Sequence, residues 1–122
     1  MTLNHLNLPV PDVAAASTFF TTFFDFTPES SKDASSLTVL RGPDGFVLVL
    51  MPLPAGAAAY PKAFHVGFGC ATPAEVQAKH QQLVAAGYSA HQGPRPMRDS
   101  FVFYFQALGF LLVEVSAPTA AE

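Results

Sequence analysis

Residues 3–10 (LNHLNLPV) and 63–70 (AFHVGFGC) decide the fold. Both are short extended runs, and each carries a histidine at its third position, His5 and His65, sixty residues apart. Each run leads directly into a helix-start signal. Asp12 is a good N-cap for a helix over residues 13–24, in which Val13, Ala16, Phe20, Phe23 and Phe24 share one face. Thr72-Pro73-Ala74-Glu75 is a capping box with proline at the first helical position. It opens a second helix that should end near Gly87.

Three short extended segments follow each helix. In the first half they span 26–31, 37–41 and 46–51, and the turn Gly42-Pro43-Asp44-Gly45 joins the last two as a hairpin. In the second half they span 89–92, 101–106 and 110–115, and residues 109–114 (GFLLVE) mirror 45–50 (GFVLVL). The order βαβββ, read twice, accounts for the chain. It predicts an α+β fold in a single domain over 1–122: a first module at 2–52, a linker rich in Ala, Pro and Gly at 53–62, and a second module at 63–118. The tail from Ala117 to Glu122 is expected to fray. One module alone would present a curved sheet with a helix on one face and nothing on the other. Two tandem modules form a larger curved mixed sheet around a cleft.

Composition agrees and narrows the function classes. Half of the 122 residues are hydrophobic, including twelve Phe, which rules out intrinsic disorder. Six Lys plus Arg against nine Asp plus Glu give a net charge of −3 without a basic stripe, so nucleic acid is not an expected partner. Only 12% of residues are charged, which favours a surface partly covered by a second subunit. The longest uncharged stretches, 46–61 and 101–113, are too short for a spanning helix, so no membrane partner is expected. The first residues lack the basic and apolar regions of a secretion signal, and the expected location is the cytoplasm. A single cysteine, Cys70, excludes an intrachain disulfide and a Cys-rich zinc site.

The repeated pattern resembles the vicinal oxygen chelate superfamily: glyoxalase I, extradiol dioxygenases, fosfomycin-resistance proteins and bleomycin-binding proteins. The resemblance runs from Leu3 to Pro118. Residues 3–24 (LNHLNLPVPDVAAASTFFTTFF) look like the family's first strand and helix, and residues 111–118 (LLVEVSAP) look like its last strand. It implies the glyoxalase/bleomycin resistance/dioxygenase fold, a homodimer, and a divalent metal (Fe, Mn, Zn or Ni) held by residues of the first and last strand of each module. Mapped onto this chain, those ligands are His5, His65 and Glu114. The fourth position falls in the apolar run 46–51, with Leu50 as its equivalent, so the four-ligand site of glyoxalase I is incomplete. Two His and one Glu form the set seen in extradiol dioxygenases and fosfomycin-modifying enzymes.

The residue types fit that chemistry independently. Two imidazoles and one carboxylate on one side of a divalent ion leave positions open for a substrate with vicinal oxygens. Strand alternation puts His5 and Asn7 on one side of their strand, and His65, Gly67 and Gly69 on one side of theirs, with the glycines leaving room. Glu114 interrupts an otherwise apolar strand, where a carboxylate without a partner is expensive. Exposure to solvent, or pairing with Arg41, Arg95 or Arg98, would also account for a carboxylate there. Asn7, Tyr104, Arg95 and Arg98 are the candidates for substrate contact, the two arginines lying in the loop 93–100 (GPRPMRDS). His80 reads as a solvated helix residue, His91 as a strand-end residue with no family support as a ligand contact, and Cys70 as a small hydrophobe. No residue is singled out as catalytic.

The expected function is therefore a small metal-dependent enzyme acting on a small oxygen-rich or aromatic molecule. Its chemistry would be dioxygenase-like or that of a fosfomycin-type thiol transferase. The alternative is a metal-free, drug-sequestering protein of the bleomycin-resistance type. In short members of the family the modules are exchanged between subunits, which would take His5 from one chain and His65 with Glu114 from the other.

Overall fold

Capping chemistry starts both helices. In the computed structural model, which describes residues 1–30, 36–57, 60–88 and 92–119, Asp12 is extended and its side chain accepts the Ala15 N–H at 3.0 Å. That satisfies one of the orphan donors of α1 (Val13–Phe23). Both halves of the Thr72–Glu75 capping box are formed at α2 (Pro73–Ala85). Gly87 ends α2 with φ +98, a backbone conformation that disfavours any side chain, and the Tyr88 N–H then reaches back to the Leu83 carbonyl at 2.9 Å.

The strands among the described residues are β1 (His5–Val10), β2 (Thr27–Ser30), β3 (Thr38–Arg41), β4 (Val47–Pro52), β5 (His65–Gly69), β6 (Arg95–Met97), β7 (Ser100–Ala107) and β8 (Leu111–Pro118). The chain divides into two compact units, Met1–Ala58 and Ala59–Glu122. The first holds a mixed sheet in the order β1-β4-β3-β2 and the second a mixed sheet in the order β5-β8-β7-β6. In each, the first strand pairs parallel with the last, and the remaining pairs are antiparallel. The α+β fold of two βαβββ modules is thus the architecture observed.

Each sheet buries one face under its helix. In the first unit Leu8, Val10, Leu40, Leu48 and Leu50 form the core with Val13, Ala16, Phe19 and Phe20 of α1. Phe19 rather than Phe23 is at the centre of the aromatic packing, with ring centroids 5.2 Å from Phe20 and 5.8 Å from Phe24. In the second unit Val76 and Leu83 of α2 are buried with Phe103, Phe105, Val113 and Val115. His80 sets its ring edge-on to Phe103 at 5.1 Å, so it is half-buried packing rather than the solvated residue expected from its polar neighbours.

Three further expectations are corrected. The stretch 93–100 is not simply a loop, because β6 runs through it and Pro96 sits in an edge strand, where its missing N–H costs no ladder bond. The expected strand at 89–92, with His91, lies largely outside the described residues. The chain does not fray at Ala117, which is core and 3% exposed in a strand that continues to Pro118.

The matched Gly-Phe hairpins are out of phase by one residue. In the first, Gly45 takes φ +92 at the third turn position and its N–H bonds to the Gly42 carbonyl. In the second, Leu108 and Gly109 both take positive φ, and the Phe110 N–H closes a turn of the same length on Ala107, with the glycine one position earlier. The register therefore pairs His5 with Val47 and Asn7 with Val49, while His65 pairs with Leu112 and Gly67 with Glu114. The counterpart of Glu114 is Val49, not Leu50. Leu50 is fully buried on the helix side. This assignment predicts that Leu50→Ala costs about 2–5 kcal/mol in urea unfolding and Val49→Ala less than half as much. Equal losses would contradict the assigned faces.

Candidate functional site

Alternation along β8 separates two kinds of chemistry. Leu111, Val113, Val115 and Ala117 point into the core, while Leu112, Glu114 and Ser116 occupy the opposite, open face. Parallel pairing brings His65, Gly67 and Gly69 of β5 alongside them, and antiparallel pairing sets Tyr104 opposite Glu114. One strand on each side thus delivers a polar ring to the Glu114 carboxylate.

The geometry defines the state of His65. Its Nδ1 lies 2.9 Å from the Ala63 carbonyl, which only accepts, and we assign the proton to Nδ1 on the shorter of the two contacts its ring makes. Its Nε2 lies 3.4 Å from Glu114 Oε1. A neutral imidazole would then face a carboxylate acceptor to acceptor. Either an imidazolium or a cation shared by the two atoms relieves that repulsion. The Tyr104 ring stands edge-on to His65 with centroids 5.8 Å apart.

These residues fit a divalent ion. Ligand atoms about 2.1 Å from a metal, at angles of about 90–109°, are about 3.0–3.4 Å apart. The Nε2 to Oε1 separation of 3.4 Å meets that requirement. A histidine that ligates through one nitrogen while donating from the other to a backbone carbonyl is the usual outer-shell arrangement. The side chains are half-open, 40% exposed for His65 and 24% for Glu114. An ion there remains accessible to a ligand.

The first unit supplies one comparable donor. His5 is exposed, and its Nδ1 lies 2.7 Å from Asn4 Oδ1, which leaves Nε2 free as an acceptor. Asn7 is exposed on the same side of β1, beside Val49. Among the described residues no group of three His, Cys, Asp or Glu side chains is placed to hold one ion. Arg41 is paired with Glu29 across β2 and β3. Arg95 lies on β6 opposite Val102, two positions along β7 from Tyr104, and its charge acts on that phenol. Arg98 is at the β6–β7 turn with φ +56. That turn flanks the Ser100–Pro118 pair, which lies four residues, about 13 Å, along β8 from Glu114. The structure therefore groups His65, Glu114 and Tyr104 and leaves Arg98 apart. Burial, then Glu75, pushes the Cys70 thiol up, against the smaller pull of Lys79, consistent with a small hydrophobe.

Two features were not read from the sequence. One is the Ala63 carbonyl, a backbone group with no residue signature. The other is an aromatic group of Tyr60, Phe64 and Phe110 beside His65. Its available signal was Tyr60, the only aromatic residue of the Ala- and Pro-rich linker.

Tyr104 gives a direct probe of the cluster. Its hydrogen bond to Glu114, and then burial and the Glu114 charge, raise the phenol above its ordinary 10.0, while Arg95 acts in the opposite sense. The raised value means that the stabilisation from this bond is fully present below about pH 10. It is lost as pH rises through the higher folded-state midpoint. Glu114→Gln is expected to lower the Tyr104 midpoint in a ring-resonance titration; an unchanged midpoint would break the assigned bond.

Comparison with known proteins agrees with this fold. Residues 2–110 match the family model of the Glyoxalase/Bleomycin resistance protein/Dioxygenase superfamily. A possible glyoxalase from Bacillus cereus is 36% identical with a TM-score of 0.81, over 94% of this chain and 97% of that one. A glyoxalase/bleomycin resistance protein/dioxygenase from Nocardioides is 22% identical with a TM-score of 0.76, over 100% of this chain and 86% of that one. An E126Q mutant of the fosfomycin resistance protein FosX from Listeria monocytogenes, complexed with Mn(II) and 1S,2S-dihydroxypropylphosphonic acid, is 21% identical. Its TM-score is 0.76, over 97% of this chain and 90% of that one. No curated protein matches the sequence. The family match over most of the chain, with the βαβββ repeat, makes this protein a member of the Glyoxalase/Bleomycin resistance protein/Dioxygenase superfamily.

Proposed function

We propose that this protein is a small metal-dependent enzyme acting on an oxygen-rich or aromatic small molecule, with a divalent ion held by His65, Glu114 and His5. The observation that supports it best is the His65 Nε2 facing Glu114 Oε1 at 3.4 Å while Nδ1 is committed to Ala63. A metal ion shared by the two atoms would satisfy both of them. We take the third ligand, His5, from a second copy of the chain, following the module exchange that the family resemblance implies. The functional unit is then a homodimer with exchanged modules, located in the cytoplasm.

A bound Fe, Mn, Zn or Ni ion would supply Lewis acidity toward a substrate bearing vicinal oxygens. The chain's own residues supply the rest. Tyr104 holds the Glu114 carboxylate and thereby its orientation. Gly67 and Gly69 leave the face beside the carboxylate free of side chains. Arg95 places positive charge one strand beyond Tyr104, suited to an anionic substrate group. Arg98 and Asn7 are outer candidates for substrate contact. This set is compatible with dioxygenase chemistry and with fosfomycin-type thiol transfer.

One observation favours the metal-free, drug-sequestering alternative. The open face of the first sheet carries Val39, Val47, Val49 and Met51, all half-buried and none able to ligate. An apolar compound would suit that surface.

Metal content separates the two. Purified protein is expected to hold about one ion per chain, lost in His5→Ala, His65→Ala and Glu114→Ala. Mixing and refolding His5→Ala with Glu114→Ala chains should restore about a quarter of the sites, because only mixed dimers contain one intact set. No recovery would place all three ligands in one chain. Folded protein that takes up no metal would leave the binding-protein reading. Oxygen uptake with a catechol, and consumption of fosfomycin with a thiol, then distinguish the two chemistries.

A further inference from the structure

We infer that Tyr60 is a positioning residue for His65, acting through the turn that precedes β5. The His65 side chain is 40% exposed on an open sheet face, so packing alone does not fix its ring. What aims it is the Nδ1 bond to the Ala63 carbonyl at 2.9 Å. Ala63 belongs to a turn closed by the Phe64 N–H on the Pro61 carbonyl at 3.1 Å. Pro61, Lys62 and Ala63 are all exposed, so the turn is not held by burial of its own side chains.

Aromatic contacts hold it instead. The Tyr60 ring lies 4.9 Å from that of Phe64, at the far end of the same turn, and 5.5 Å from that of Phe110. Phe64 immediately precedes β5 and Phe110 immediately precedes β8. Tyr60 therefore spans the starting ends of the parallel pair that carries His65 and Glu114. Its half-buried phenol is pushed up by burial, as expected for a ring seated in the cluster rather than lying on solvent. Removing the ring frees the turn, lets the Ala63 carbonyl drift, and releases the proton on Nδ1 to redistribute between the two ring nitrogens.

The consequence for metal affinity rests on the proposed function; the consequence for the tautomer does not. Long-range proton–nitrogen spectra of metal-free protein, at alkaline pH where the imidazole is neutral, read the tautomer directly. Wild-type His65 is expected in the Nδ1–H form, Tyr60→Ala in a mixture, and Tyr60→Phe back in the Nδ1–H form. Titration with Mn(II) should show Tyr60→Ala weakened at least about tenfold and Tyr60→Phe within about twofold of wild type. If Tyr60→Ala does not fold by circular dichroism, Phe110→Ala opens the other side of the cluster and should shift the tautomer in the same direction. A folded variant that keeps the wild-type tautomer overturns the inference. Wild-type protein that binds no Mn(II) but shows the tautomer shift refutes the metal reading alone.

Discussion

The parallel pairing of β5 with β8 is the constraint on which the site depends. Its register sets Gly67 beside Glu114, and a Cβ on Gly67 would meet Glu114 Oε2 at 3.8 Å. The same register directs Val113 and Val115 into the core beneath α2. A one-residue slip would exchange these faces, exposing the valines and burying the carboxylate. Apolar packing on one side of the strand therefore fixes the polar geometry on the other. Tyr104 benefits from the same rigidity, since its position opposite Glu114 is one step of a continuous antiparallel ladder.

Glu114 is tolerable in an apolar strand because its oxygens are served from both neighbours. His65 approaches from β5 and the Tyr104 phenol from β7. The arginines offered by sequence do not fill this role. Arg41 is held by Glu29 in the other unit, and Arg98 is at a distant turn. A carboxylate flanked by an imidazole and a phenol on adjacent strands has fewer rotamers open to it than one facing solvent.

Much of this was legible in the sequence because it rests on local chemistry. Asp12 and Thr72 read as caps, period-two alternation separates Glu114 from Val113, and the repeated histidine runs marked the first strand of each unit. What failed depends on partners remote in sequence. Leu50 was matched to Glu114 by aligning the glycines of two hairpins, but the turns differ in type and carry glycine at different positions. Residues 93–100 were read as a loop; the sheet order shows that β6 runs through them as an edge strand, where proline is allowed. His80 looked solvated from its helix neighbours, and Phe103, on a different element, half-buries it.

The two units keep one backbone plan and diverge in what it displays. Val49 stands where the second unit has Glu114, so the first unit offers an imidazole without a carboxylate beside it. The histidines are also held differently: His65 by a backbone carbonyl, His5 by the exposed side chain of Asn4. A backbone acceptor in a braced turn is a more rigid holder than a side chain with its own rotamers. A lone exposed imidazole gains nothing from being oriented unless another donor set meets it. Its Nδ1 is nevertheless engaged, as that of His65 is, while the His65 Nε2 faces Glu114 Oε1. The carboxylate, with the glycine and the tyrosine that flank it, belongs to the second unit alone.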